Sequence, residues 1–226
     1  MKRLAAVLAA LALLPLTAPP AGAQPSMYHT IHSSHGSANV DAINGCGRVE
    51  IFLSSSVSAF ASQPGPVNKQ GLTGVFVRVS DLCADADGVA AAAAPGGTVL
   101  FQADGQNFAP LTVDPRLESA SLSTELAGTD GNGNPVTIRL SAAWTGVGPL
   151  EHSTVSSHEL FPGTGTVSSA DNNLRRAAIA TVSVEAGGVS AAGTDADAVL
   201  ERVKAHCIEV ARPGVEEFFP CFGFPG

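Results

Sequence analysis

The amino-acid sequence predicts an all-β fold, which we expect to be a single antiparallel β-sandwich or barrel-like domain held by disulfides. Short apolar runs recur along the chain, and Val75, Val77 and Val79 show the period of two that is typical of strands. Clusters of Gly, Pro, Asn and Asp separate these runs, as turns do. Four cysteines supply the third observation, because an even number indicates disulfide bonds in an exported protein.

Residues 1–23 have the three parts of a secretory signal peptide. Lys2 and Arg3 precede an apolar run over residues 4–14, and Ala21-Gly22-Ala23 supplies small residues before a cleavage site. We expect cleavage after Ala23, with release of the protein into an extracellular or periplasmic compartment. No later apolar run reaches the length of about 18 residues that a membrane span requires, so we expect no membrane span.

Composition and charge argue against a protein that binds nucleic acid through a basic surface. Charged residues make up 14% of the 226 residues, which is low for a globular domain, and 20 acidic residues outnumber 12 basic ones. Removal of residues 1–23 takes away two basic residues and no acid, so the formal net charge changes from −8 to −10. Lys69 and Lys204 are then the remaining lysines, which predicts no polybasic patch and no nucleic-acid partner.

We expect residues 24–45 to form an extended polar segment and residues 46–226 to form a single β-rich domain. Two points about its elements stand out. The Asp-Gly-Asn-Gly-Asn run at 130–134 predicts a hairpin, and the segment 195–210 fits either a helix or a strand, with a strand favoured. The predicted strands are Arg48–Ser56, Gly74–Leu82, Thr98–Ala103, Leu117–Leu126, Val136–Trp144, His152–His158 and Arg175–Glu185.

The cysteines are Cys46, Cys83, Cys207 and Cys221, and four cysteines allow three connectivities. No C-x-x-C spacing occurs, which argues against thiol exchange and against a zinc ribbon. We therefore interpret the cysteines as two structural disulfides.

Strand pairing favours one of the three connectivities. If the segments 48–53 and 74–79 pair antiparallel with Ile51 opposite Arg78, the first two cysteines fall opposite each other. That pairing leaves the last two cysteines to close a short loop at the C-terminus.

His29, His32 and His35 are candidate metal ligands because three imidazoles, three residues apart, follow the expected N-terminus. Imidazole binds zinc or copper, and a flexible segment can wrap around one ion. Against this interpretation, the spacing matches no closed zinc site, and no acid or cysteine lies within the run. A solvated polar segment explains the same residues.

Two further groups of polar residues are candidates for a calcium site and for a catalytic site. Asp130, Asn132 and Asn134 resemble the start of a calcium loop, but a hairpin turn explains them without an ion. His152 and His158 lie near acids and serines and allow acid–base chemistry, although no G-x-S-x-G motif occurs in the chain. An exposed hairpin is the interpretation favoured for this second group.

These observations leave three functional hypotheses. The first is a secreted, non-catalytic β-sandwich protein without a cofactor, which binds an unknown ligand or is structural at the cell envelope or outside the cell. The second is an extracytoplasmic protein that binds zinc or copper through His29, His32 and His35. The third is a small secreted hydrolase that uses His152 or His158.

Overall fold

The computed structural model describes residues 26–63, 65–83, 97–212, 214–215 and 221. The predicted signal peptide, residues 1–23, lies outside them. The described residues form ten strands and no helix, so none of them belongs to a helix that could cross a membrane. The strands are β1 (Ser26–Asn44), β2 (Gly47–Gln63), β3 (Val67–Asp81), β4 (Thr98–Asn107), β5 (Thr112–Val113), β6 (Ser119–Asp130), β7 (Pro135–Gly146), β8 (Glu151–Phe161), β9 (Gly165–Ala186) and β10 (Val189–Ala211).

The strands form one antiparallel sheet, which confirms the all-β prediction. Its order is β10-β1-β2-β3-β4-β6-β7-β9-β8, and β10 also pairs with β9. The second pairing closes the sheet on itself, which corresponds to the barrel-like alternative and not to two stacked sheets. The short β5 lies off this path and pairs with β6.

Only part of the sheet is closed, because β9 changes partner along its length. Residues 178–186 of β9 pair with β7, whereas residues 165–175 pair with β8. On the other side, β4 pairs with β3 only from Thr73 onward. We call the closed part the ring. We call the remainder the open sheet, which comprises β8 and residues 165–174, 202–211, 26–34, 57–63 and 67–72.

The hydrophobic core fills the ring, and strand alternation decides which side chains enter it. On β7, Ile138, Leu140, Ala142 and Trp144 are buried, and the residues between them are exposed. The Trp144 indole is 1% exposed and donates a hydrogen bond to the Ser37 carbonyl oxygen at 3.0 Å. The single tryptophan is therefore a core residue, with its polar atom satisfied.

A segment between β4 and β6, residues 108–118, covers the ring where the open sheet begins. Leu111 packs beside Gly36 of β1, whose position leaves little room for a larger side chain. Thr73 of β3 donates a hydrogen bond to the Ala109 carbonyl oxygen at 3.1 Å. From β10, Arg202 donates to the Pro115 carbonyl oxygen at 2.7 Å. We call residues 108–118 the crossing segment, because it contacts β1, β3 and β10.

The predicted disulfide pairing is confirmed, but the register used to predict it is wrong. Cys46 bonds Cys83, and Cys207 bonds Cys221, with Cα separations of 5.2 and 6.3 Å. Ile51 lies opposite Val77 and not opposite Arg78. A shift of one residue reverses the face of every side chain.

Side-chain burial explains why the observed register is preferred. It places Ile51 and Val77 together in the core, where they are 0% and 1% exposed. It also pairs Arg78 with Glu50 as a salt bridge on the outer face. The register expected from the sequence would have placed Arg78 on the same face as Ile51.

For two segments the structure adds to what the sequence predicted. Ser26–Asn44, expected as a polar segment ahead of the domain, is a strand between β2 and β10. A polar strand is stable there because neighbours on both sides satisfy its backbone groups. The segment 195–210 is strand, as favoured. The Asp195 carboxylate accepts hydrogen bonds from the backbone N–H groups of Asn39 and Asp197, beside the irregularity in the β9–β10 pairing between Asp195 and Ala198.

Candidate functional site

The structure does not bring His29, His32 and His35 together. In the extended β1, alternate residues point to opposite faces, so His29 and His35 share one face and His32 lies on the other. His29 and His35 are about 20 Å apart at the rise of a strand. The His29 imidazole Nδ1 lies 2.9 Å from Ser62 Oγ, and the His35 Nε2 lies 3.1 Å from Ser54 Oγ.

The neighbour of His29 that could share a metal ion is an acid that the sequence did not indicate. His29 Nε2 lies 3.7 Å from Glu209 Oε1, and Glu209 is 3% exposed. The same carboxylate oxygen accepts the Cys221 N–H at 3.0 Å. Cys221 lies within reach of both side chains, but its sulfur is bonded to Cys207 and is not a thiolate ligand. The cluster therefore holds Cys221 against the sheet.

The Asp130 side chain serves the turn between β6 and β7. Its Oδ1 accepts the backbone N–H groups of Asn132 at 2.9 Å and Asn134 at 2.8 Å. The side-chain amide of Asn134 also donates to the carboxylate, and these bonds hold the pKa of Asp130 below its ordinary value. The Asp130 oxygens are engaged within the hairpin that the sequence predicts.

His152 and His158 lie on β8 and share a face. His158 Nδ1 lies 2.8 Å from Ser168 Oγ, and His152 Nε2 lies 3.4 Å from Thr154 Oγ1. Ser153 points to the opposite face. Within the described part of the chain, neither imidazole contacts a carboxylate, so these residues do not assemble a serine–histidine–acid relay.

A different set of residues meets on the face of the open sheet that continues the ring interior, which we call the inner face. The register places one row of residues across four strands. Lys69 of β3 lies opposite Ala59 of β2, Ala59 opposite His32 of β1, and His32 opposite Lys204 of β10. Directly opposed residues share a face, so these cations lie on the same surface.

Side-chain contacts agree with this assignment of faces. The rings of Tyr28 and His206 stack with their centroids 6.3 Å apart, across β1 and β10. Arg202 Nε donates to Ser34 Oγ at 3.4 Å, which joins the same two strands. The basic and imidazole side chains of the inner face are Lys69, Arg202, Lys204, His32, His152, His158 and His206.

Acids are absent from the inner face of the described open sheet. The acids of the open sheet all fall on the opposite face, namely Glu151, Glu159, Asp171 and Glu209. The chain as a whole carries a formal charge of −8, so the inner face has the opposite sign to the molecule. Lys204, Lys69 and His32 are exposed and accessible to a ligand.

The sequence contains one signal for this surface. Arg202, Lys204 and His206 alternate with Val203 and Ala205, which is the period of a strand with one cationic face. The signal is readable only when residues 195–210 are assigned to a strand. Lys69 lies in the same row only because β3 pairs with β2. The expectation that the chain has no polybasic patch does not describe this face.

No protein-family model matches the chain, and neither a curated protein nor a solved structure matches it. The geometry and charge of this chain therefore define the candidate site. Its central feature is a cationic stripe on β10, formed by Arg202, Lys204 and His206 and flanked by His32.

Proposed function

We propose that the protein is a secreted, non-catalytic binding protein that takes an acidic saccharide on the inner face of its open sheet. The segregation of charge carries this proposal. Arg202 and Lys204 share the inner face of β10 two residues apart, and the acids of the described open sheet lie on the other face. Cations held together without acids, on a surface that faces solvent, are typical of a binding surface.

The ligand class follows from the residues around the stripe. Neutral hydrogen-bonding side chains flank the cations, with Asn172 and Thr154 in the row of Lys204. The stacked Tyr28 and His206 rings add an apolar surface of the kind on which sugar rings pack. Hydroxyl and amide groups suit a saccharide, and the cations suit its carboxylates. The formal charge of −10 after removal of residues 1–23 repels a long polyanion such as DNA more than a short acidic oligosaccharide.

Export is part of the proposal. The disulfides Cys46–Cys83 and Cys207–Cys221 are typical of an oxidising compartment. The signal-like residues 1–23 supply the route, and acidic saccharides occur outside the cell. Mass spectrometry of the protein recovered from its producing cells tests this part, because export predicts a chain that starts at Gln24.

Calorimetric titration with oligogalacturonate tests the ligand class. We expect binding that weakens with added salt, because salt screens the attraction between the cations of the stripe and the carboxylates of the ligand. The Lys204→Gln variant loses one charge-assisted hydrogen bond, which corresponds to about tenfold weaker binding. Uncharged oligosaccharides of equal length should bind much more weakly.

Arg139→Gln is the matched control, because it removes the same charge from the outer surface of the ring, where Arg139 pairs with Glu125. It should bind like the wild type. Equal weakening by both variants would show an effect of net charge alone and would overturn the proposed site. Tighter binding of a DNA oligonucleotide than of oligogalacturonate would overturn the ligand class.

A further inference from the structure

Residues 151–160 of β8 form an edge of the open sheet along which no other described strand lies. In the part of the chain that the structure describes, β8 pairs with β9 over all 11 residues and no strand lies along its other edge. Residues 151–160 are exposed, among them Val155 at 61% and Leu160 at 62%. A strand edge of this length offers a row of backbone N–H and C=O groups to another strand.

β8 lacks several of the features that usually prevent such pairing. It contains neither proline nor lysine, its register with β9 has no bulge, and its two charged residues, Glu151 and Glu159, lie towards its ends. The opposite edge of the open sheet, residues 67–72 of β3, is shorter and carries Lys69. The two edges therefore differ, and β8 is the one open to pairing.

We propose that a second copy of this chain pairs with β8 through its own β8, antiparallel, about a two-fold axis at Ser156. Such an axis stands perpendicular to the sheet, so opposed residues must share a face. With Ser156 on the axis, all 11 residues of the strand are paired. Thr154 then lies opposite His158 of the partner subunit, and Ser153 lies opposite Glu159 of the partner subunit.

Length and charge select this register over its two neighbours. Moving the axis to Val155 or to Ser157 would leave two of the 11 residues of the strand unpaired. The axis at Val155 would also place Glu151 opposite the partner's Glu159, and like charges in opposition destabilise a pair. With Ser156 on the axis, no like charges oppose each other. Two strands of this length exchange about ten backbone hydrogen bonds.

The proposed pairing brings the inner faces of the two copies together on one side of the dimer. A perpendicular axis joins the two open sheets into one continuous sheet and keeps both inner faces on the same side. The cationic stripes around Lys204 in the two copies then face one direction. The dimer is inferred from the edge alone and does not depend on the proposed saccharide ligand.

Sedimentation of the mature chain over a concentration series tests the proposal, and we expect a monomer–dimer equilibrium. Ser156→Lys and Ser156→Glu each place two like charges on the axis, so each variant alone should dissociate at least about tenfold more readily. An equimolar mixture of the two variants should dimerise again, because Lys then opposes Glu. Ser156 is exposed, and Trp144 fluorescence verifies that the ring stays folded.

Ser156→Gln is the matched control, because it enlarges the side chain on the axis without adding a charge. It should remain dimeric. A wild-type chain that is monomeric throughout the series would overturn the proposal, as would failure of the mixture to dimerise. Ser156→Lys leaves Lys204 in place, so saccharide binding should persist in it, and the two proposals fail separately.

Discussion

His32 lies directly opposite Lys204 across the β1–β10 pair, on the inner face of the open sheet. The two side chains are 172 residues apart in the chain and meet only through strand pairing. No acid of the described open sheet shares that face with them. Strand pairing therefore places His32 and Lys204 together on the surface that we propose binds ligand.

Lys204→Gln should therefore weaken ligand binding without destabilising the protein. Lys204 is exposed, and no acid of the described open sheet shares its face, so removal of its charge breaks no salt bridge there. The free energy of unfolding should change by no more than about 0.5 kcal/mol. Urea denaturation of the variant and the wild type checks this, and a larger loss of stability would show that Lys204 holds the sheet together.

Thr73 should hold the crossing segment in place. Its hydroxyl is 0% exposed, lies 2.7 Å from Ser55 Oγ and donates to the Ala109 carbonyl oxygen. Thr73→Val should cost about 1–3 kcal/mol, because buried polar groups are left without partners. Hydrogen exchange of residues 108–118 should accelerate in this variant.

Thr73→Ser is the control for loss of the hydroxyl, because it keeps the oxygen and removes one methyl group. It should cost about 1 kcal/mol and leave exchange of the crossing segment unchanged. Equal acceleration in both variants would show that packing, and not the hydrogen bond, retains the segment.

The two disulfides should contribute unequally to stability. Cys46–Cys83 spans 37 residues and Cys207–Cys221 spans 14. Loop-closure entropy predicts losses of about 4 and about 3 kcal/mol when each pair is replaced by serine. Thermal denaturation of the two double variants, followed by Trp144 fluorescence, measures the difference, and a greater loss at the shorter loop would contradict the entropic account.

Asp130 should stabilise the β6–β7 hairpin except in acid. The hydrogen bonds from Asn134 and Asn132 lower the pKa of Asp130. The carboxylate therefore contributes its full stabilisation above pH 3.8, the ordinary pKa of the group, and this stabilisation is lost as the pH falls through the lowered pKa. Asp130→Ala should lower Tm by a few degrees at neutral pH, and the difference from wild type should shrink below about pH 4. Asp130→Asn, which keeps an acceptor oxygen, should lose less, and a difference that grows in acid would contradict the assignment.

Local patterns predicted much of the fold correctly. Alternating residues located most strands, and the Asp-Gly-Asn-Gly-Asn run located the β6–β7 hairpin. The disulfide pairing was also correct. Ser26–Asn44 was missed as a strand because its residues are mostly polar, and pattern-based prediction relies on an apolar face.

The sequence by itself determined most of the strands, the turns and the cysteine pairing, because each depends on residues close together or on a single alternating pattern. Only the tertiary structure decided that the sheet closes, that Ile51 opposes Val77, and that Lys69, His32 and Lys204 occupy one row. The physical reason is strand register. It joins residues distant in the chain, and a shift of one residue moves every side chain to the other face.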